Sequence, residues 1–172
     1  MKRLLRTQQT RGFTIAEMVI VITIIGVLLT VGFTVFPTAQ RDARDHQRET
    51  NMKLLAAQLD LYFTENGHYP IDQSMKTSAG YTWVKNNLPG FPITGLIAPN
   101  APPGTTNSIA TSGPATRTNY RYYAYQADGS GCFYTAEPPA PGDPEPEDCV
   151  SFQIDYYSEA KGQVLNVKSR RR

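Results

Sequence analysis

A single carboxylate stands inside the longest apolar stretch of this sequence. Residues 13–36 form a run of 24 whose only charge is Glu17. A carboxylate at membrane depth costs about 2.5 to 3.5 kcal/mol on insertion scales, so an acid kept there points to a function and calls for a partner. Just before it, Arg11-Gly12-Phe13-Thr14 reads as a small residue at a cleavable joint followed by an aromatic that would become a new amino terminus. Glu17 lies within reach of that terminus. The remaining reactive side chains are few. Cys132 and Cys149 are the only cysteines and His46 and His68 the only histidines. No Ser, His and Asp constellation and no phosphate-binding glycine loop is evident, so a membrane-tethered enzyme is the reading with least support, and no cofactor or metal is expected. Glu137, Asp143, Glu145, Glu147 and Asp148 could attract calcium. The prolines between them and the missing ligand spacing make a solvated acidic loop the expectation.

These residues need an element to hold them. As a helix, residues 13–36 would measure about 36 Å, enough to cross a hydrocarbon core of about 30 Å. A secretory signal peptide would carry a shorter apolar region with its small-residue cleavage site on the far side. Here the small residue, Gly12, comes first. Cleavage after it would remove a basic leader, residues 1–12, and leave the helix of residues 13–37 attached to the domain that follows. Lys2, Arg3, Arg6 and Arg11 precede the run, whereas Arg41, Asp42, Arg44 and Asp45 mix signs beyond it. The positive-inside bias therefore places the amino terminus in the cytoplasm and the rest outside. Of 17 Lys and Arg residues those four belong to the leader, which leaves thirteen against 15 Asp and Glu. A nearly neutral mature chain argues against a broad nucleic-acid-binding surface. An uncleaved single-pass anchor would explain the length and the basic flank, but neither the Gly-Phe-Thr joint nor Glu17.

Together the basic leader, Gly12, Phe13, Thr14, Glu17 and the apolar helix resemble the class III signal of type IV pilins and the related pseudopilins of secretion and competence systems. The resemblance implies a prepilin peptidase that cuts after Gly12 and methylates the new amino group of Phe13. It also makes Glu17 the acid that pairs with the Phe13 amine of a neighbouring subunit. Such a pairing gives the buried charge a physical reason, because a carboxylate in low dielectric seeks an opposite charge. Gly26, Gly32 and Pro37 lower helical stability, with Pro37 ending the first run, so the helix is expected to loosen locally between Gly26 and Pro37 on assembly.

An amphipathic helix is expected over residues 38–66. Arg41 with Asp45, and Glu49 with Lys53, stand four apart as ion pairs on a solvated face. Met52, Leu55, Ala56, Leu59, Tyr62 and Phe63 form an apolar stripe, with Leu54 and Leu61 off it. Leu54 and Leu61 suit a helix that also packs on neighbouring subunits, although two stray leucines are unexceptional. Gly67 and Pro70 close this helix, and Asn66-Gly67-His68-Tyr69-Pro70 again resembles the family. From residue 13 to 66 the whole helix would be roughly 80 Å long.

Residues 71–118 read as a long surface connection with one short helix near 81–87. Strands are expected at 120–127, 131–136, 149–158 and 163–168, with Asp128-Gly129 and Ala160-Lys161-Gly162 as turns. The fold class is therefore α+β: a long helix packed on a small antiparallel sheet of about four strands, within a globular region of residues 38–172. Export places Cys132 and Cys149 in an oxidising compartment where two thiols normally pair. Their bridge would close a loop of about fifteen residues, worth roughly 3 kcal/mol by chain entropy. The basic end Lys168-Ser169-Arg170-Arg171-Arg172 has the charge to touch phosphates of DNA or of an anionic envelope, but a solvated terminus is the simpler expectation.

The expected role is structural: a subunit of a type IV pilus or pilus-like filament, held in the inner membrane until assembly machinery extracts it. Its partners are then other pilins, the prepilin peptidase and that machinery. The alternative is a pseudopilin of a type II secretion or DNA-uptake system, forming a periplasmic or wall-spanning piston. The long 71–118 region and the disulfide-closed segment lean toward an exposed pilus.

Overall fold

Met52, Leu55, Ala56 and Leu59 recur at three- and four-residue spacing, and in the computed structural model, which describes residues 12–110, 112–132 and 148–170, all four are buried on one face of a helix. That helix, α1, is Ile15–Asn66. It is followed by α2 (Asp72–Met75), α3 (Thr77–Asn87), a 3-10 turn at Ile93–Leu96, and strands β1 (Arg121–Tyr125), β2 (Ser151–Ser158) and β3 (Gln163–Lys168). The sheet order is β1-β2-β3 and both pairings are antiparallel. The architecture is the expected α+β one, with three strands among the described residues. The strand expected at 131–136 begins as an isolated bridge from Gly131 to Tyr125, with Cys132 N–H donating to Ala124 O at 2.8 Å; residues 133–136 lie outside the described residues. The leader of residues 1–11, most of the acidic loop and residues 171–172 lie outside them too.

The chain divides into two compact units, Met1–Gln40 and Arg41–Arg172. In the second, β2 alternates strictly, burying Phe152, Ile154, Tyr156 and Ser158. Its inward residues share one core with Met52, Leu55 and Leu59 of α1. Aromatic rings tie the layers: Tyr69 lies 4.6 Å from Phe63 and 4.8 Å from Phe152, centre to centre. Gly67 (φ +84°) supplies the left-handed cap that ends α1, its N–H donating to Phe63 O at 2.8 Å. The Tyr-Pro turn beyond it is anchored three ways. Tyr69 donates its hydroxyl to Asp60 and its N–H to Cys149 O, and Tyr122 donates its hydroxyl to Pro70 O. Cys132 and Cys149 are buried and bonded to each other, with Cα atoms 5.8 Å apart.

Pro37 lies inside α1, within the single long helix expected over residues 13–66, at the cost of one backbone donor. Two expectations need correction. Residues 71–118 are not a surface connection alone: the short helix expected near 81–87 is present as part of α3, and Ile71, Met75, Val84, Leu88, Phe91, Leu96 and Ile109 are buried, while residues 102–104 and 112–114 are exposed. Their elements are too short to show periodicity, and Gly90 and Gly95 mark close approach. A Cβ on Gly90 would fall 2.5 Å from Gln58 Oε1, and one on Gly95 2.7 Å from the Phe91 ring.

The second correction concerns charge. Glu49 and Lys53 pair as expected, at 2.6 Å, but Asp45 turns away from Arg41 toward the β2–β3 hairpin. It accepts from Ser158 Oγ at 2.8 Å and from the N–H groups of Glu159 and Ala160 at 2.9 Å. Arg48, fully buried, donates to Asp45 at 2.9 Å, Glu159 at 2.8 Å, Asn100 at 2.6 Å and the carbonyl of Arg117 at 3.1 Å. Arg44 clasps the same Glu159 with two bonds, 2.9 and 2.7 Å. The hydrogen bond from Arg44 leads the effects that pull the Glu159 carboxyl from 4.5 down to about 2, joined by Arg48 and opposed by burial. Burial pushes Asp45 up, but the Ala160 and Glu159 N–H groups, the Ser158 hydroxyl and Arg48 outweigh it and hold the carboxyl below its usual range.

Removing one partner of a buried ion pair strands the other and costs about 3 to 5 kcal/mol. Arg48→Ala is therefore expected to lower the denaturation midpoint of the full chain by a corresponding amount. Because the Glu159 pKa is depressed on folding, its stabilisation is present above pH 4.5 and is lost as pH falls toward about 2. Thermal unfolding followed by circular dichroism should show Glu159→Gln with a flatter acid profile than wild type in that window; identical slopes would contradict it.

Candidate processing and assembly site

Thr14 and Glu17 are three residues apart, the spacing at which a hydroxyl and a carboxylate can cap a helix reciprocally. They do so here. Thr14 N–H donates to Glu17 Oε2 at 2.8 Å, Thr14 Oγ1 donates to the same oxygen at 2.9 Å, and Glu17 N–H donates to Thr14 Oγ1 at 3.2 Å. Thr14 is thus the N-cap and α1 begins at Ile15. Gly12 and Phe13 stay outside the helix, both exposed, so the peptide bond between them stands free of helical hydrogen bonds. The negative Glu17 in the first turn also suits the positive end of the helix dipole. The capping role of Thr14 escaped the sequence reading although its signal, Thr-x-x-Glu before an apolar run, was in plain view.

Beyond the cap the described side chains of the apolar half of α1 are exposed, from Ile15 at 86% and Met18 at 53% to Phe33 at 77%. Two of its hydroxyls are satisfied within the helix: Thr23 donates to Val19 O at 2.7 Å and Thr30 to Gly26 O at 2.8 Å. Neither of these two donors calls for water, as an apolar solvent demands. No single helix among the described residues is long and apolar enough to cross a membrane; the stretches Ile15–Thr30 and Val35–Asn66 meet that measure of length and composition when taken together.

The other residues singled out in the sequence lie apart from this end. Cys132, Cys149 and Asp148 are close enough to share an ion, but the disulfide occupies both sulfurs. His46 is exposed on α1, and His68 sits in the turn after it, with its Nδ1 3.2 Å from Tyr69 O.

With the geometry in hand, comparison with known proteins gives one match. Residues 8–33 match the family described as the prokaryotic N-terminal methylation motif. That motif is the class III signal of type IV pilins and pseudopilins, and the chain carries it across the Gly12–Phe13 joint, the Thr14–Glu17 cap and most of the apolar helix. Such a signal implies anchoring through the N-terminal helix and processing by a prepilin peptidase. No curated protein and no solved structure matches the chain.

Loss of an N-cap costs about 1 kcal/mol of helix stability. Thr14→Val should therefore fray the first turn, seen as faster hydrogen exchange at the amides of Glu17 and Met18 in detergent, whereas Thr14→Ser should exchange like wild type.

Proposed function

We propose that this protein is a structural subunit of a type IV pilus or pilus-like filament, made as a precursor, cut after Gly12 and methylated on Phe13. The observation that carries this reading is the matched methylation motif with Glu17 as the sole charge of an apolar helix whose described side chains are exposed. Such a helix has to be covered, first by lipid and then by copies of itself. In the filament Glu17 pairs with the Phe13 amine of a neighbouring subunit, which holds the two chains in axial register. The amino terminus faces the cytoplasm, the unit from Arg41 onward lies outside, and the finished filament is extracellular. Other pilin subunits and the inner-membrane assembly machinery are its partners. The packing of residues 71–118 into the core removes one reason for preferring a pilus to a secretion or DNA-uptake pseudopilus. The buried disulfide, which closes the segment between Cys132 and Cys149, still leans toward exposure outside the cell.

Glu17→Ala should leave the protein membrane-inserted and cleaved but block or disorder filaments, and a bulky residue at Gly12 should leave the leader attached. Mass spectrometry of the amino terminus and immunogold labelling of cell surfaces read both outcomes. Normal filaments from Glu17→Ala would sink the proposed pairing; label confined to the periplasm would favour the pseudopilus.

A further inference from the structure

The sheet has a second face. Along β2 the residues that alternate with the buried ones, Gln153, Asp155 and Tyr157 among them, stand on the side away from the core and are half-buried. The register sets Tyr123 of β1 beside Gln153 and Arg121 beside Asp155; on the other side Lys168 and Asn166 of β3 flank the same two residues. Tyr125 follows one rank further along β1, opposite Ser151. From Ser151 to Tyr157 this face runs about 20 Å, and the three strands make it about 10 Å wide.

Tyrosines mark both ends of the face, and guanidinium groups hold two of them. Arg121 lies 4.9 Å from the centre of the Tyr123 ring and Arg117 5.9 Å from that of Tyr157. The Tyr123 and Tyr125 rings are nearly parallel, 23° between planes, with centres 6.4 Å apart. Rings fixed in this way lose little freedom when a ligand is laid on them. The middle of the face offers both kinds of hydrogen-bonding group: Asp155 accepts, Lys168 donates, and Gln153 and Asn166 do both.

We propose that this face binds a neutral polysaccharide chain, with the apolar faces of its sugar rings on Tyr123, Tyr125 and Tyr157 and its hydroxyls shared among Asp155, Gln153 and Asn166. A sugar ring is apolar on its flat sides and edged with hydroxyls that both donate and accept. Flat aromatic rings interleaved with donors and acceptors are its complement. Nucleic acid would also stack on tyrosines, but it brings a phosphate backbone and calls for a basic groove. Here the middle of the face carries the Asp155 carboxylate, and Arg121 is buried and committed to Ala110 O at 2.6 Å. The inference goes beyond the filament reading and does not need it. The inward side of the sheet shares its core with α1, so this face is turned away from that helix.

The test titrates the purified full chain in detergent, its tyrosines isotope-labelled for NMR, with cellohexaose, laminarihexaose and mannohexaose, and separately with oligothymidylate. At least one saccharide should bind and shift the ring signals of Tyr123, Tyr125 and Tyr157 while those of the buried Tyr69 and Tyr120 stay in place. Tyr123→Leu and Tyr157→Leu, which keep apolar bulk and lose the ring, should each weaken binding about tenfold, whereas Tyr157→Phe should bind like wild type. No saccharide binding, or shifts confined to other tyrosines, would overturn the proposal, as would oligothymidylate binding more tightly than every saccharide. Should a Leu variant lose its Cys132–Cys149 bond through misfolding, the shifts in the wild-type chain decide. Because binding is measured on the chain apart from any filament, its failure leaves the filament reading standing, and a chain that binds saccharide yet forms no filament defeats only the latter.

Discussion

A guanidinium shut away from water has to be answered by carboxylates and carbonyls, and at Arg48 that demand gathers the unit from Arg41 onward around one side chain. Four segments distant in sequence meet there: α1 through Asp45 and Arg44, the β2–β3 hairpin through Glu159, and the stretches bearing Asn100 and Arg117. The apolar stripe of Met52, Leu55 and Leu59 would hold helix to sheet in several sliding registers, because hydrophobic contact is not directional. The clasp allows one. Its stabilising value is modest, since desolvating two charges nearly offsets their attraction and Arg48 Nε is left without a hydrogen bond. Its contribution is specificity, fixing which turn of the helix faces which turn of the sheet.

The hairpin shows how this reaches the backbone. Asp45 accepts from two consecutive N–H groups, of Glu159 and Ala160, and so stands in for the partners that a tight turn leaves unsatisfied. Gly162, at φ +65°, completes the reversal by taking a conformation that costs other residues a clash. Strand β3 enters the sheet in a register that puts Leu165 opposite Tyr156 and Val167 opposite Ile154. One carboxylate on a helix thus helps decide which side chains of β3 face the core.

What could be read from the sequence followed from whether a feature is local. The cap at Gly67, the stripe from Met52 to Leu59, the alternation of β2 and the apolar run with its single acid are set by neighbours within a few residues, and spacing reveals them. The Thr14–Glu17 box is equally local, a Thr-x-x-Glu spacing legible before the apolar run, although Glu17 as the sole charge there also invites a partner from another chain. The clasp was not legible. Arg41 and Asp45 stand four apart and look like an ordinary surface pair, and only the fold brings Glu159 across 114 residues to outbid Arg41. Residues 71–118 failed for a related reason: their burial is achieved by short helices against a distant sheet, so no period survives in the segment itself.

The cap also bears on the pairing proposed for Glu17. A lone carboxylate in an apolar medium would gain the full benefit of the first cation to arrive, whereas here it already accepts two hydrogen bonds from Thr14. Pairing with an amine from another subunit is then an exchange or a sharing. Its net worth is the strength of a charge-assisted bond less whatever part of the cap is given up. A carboxylate has about four lone-pair sites, and Thr14 uses one oxygen, Oε2, for both of its bonds. The second oxygen can take an amine with the helix start intact. On this geometry the cap orients the acid within its own chain, and the proposed pairing would complete its coordination without undoing the first turn of the helix.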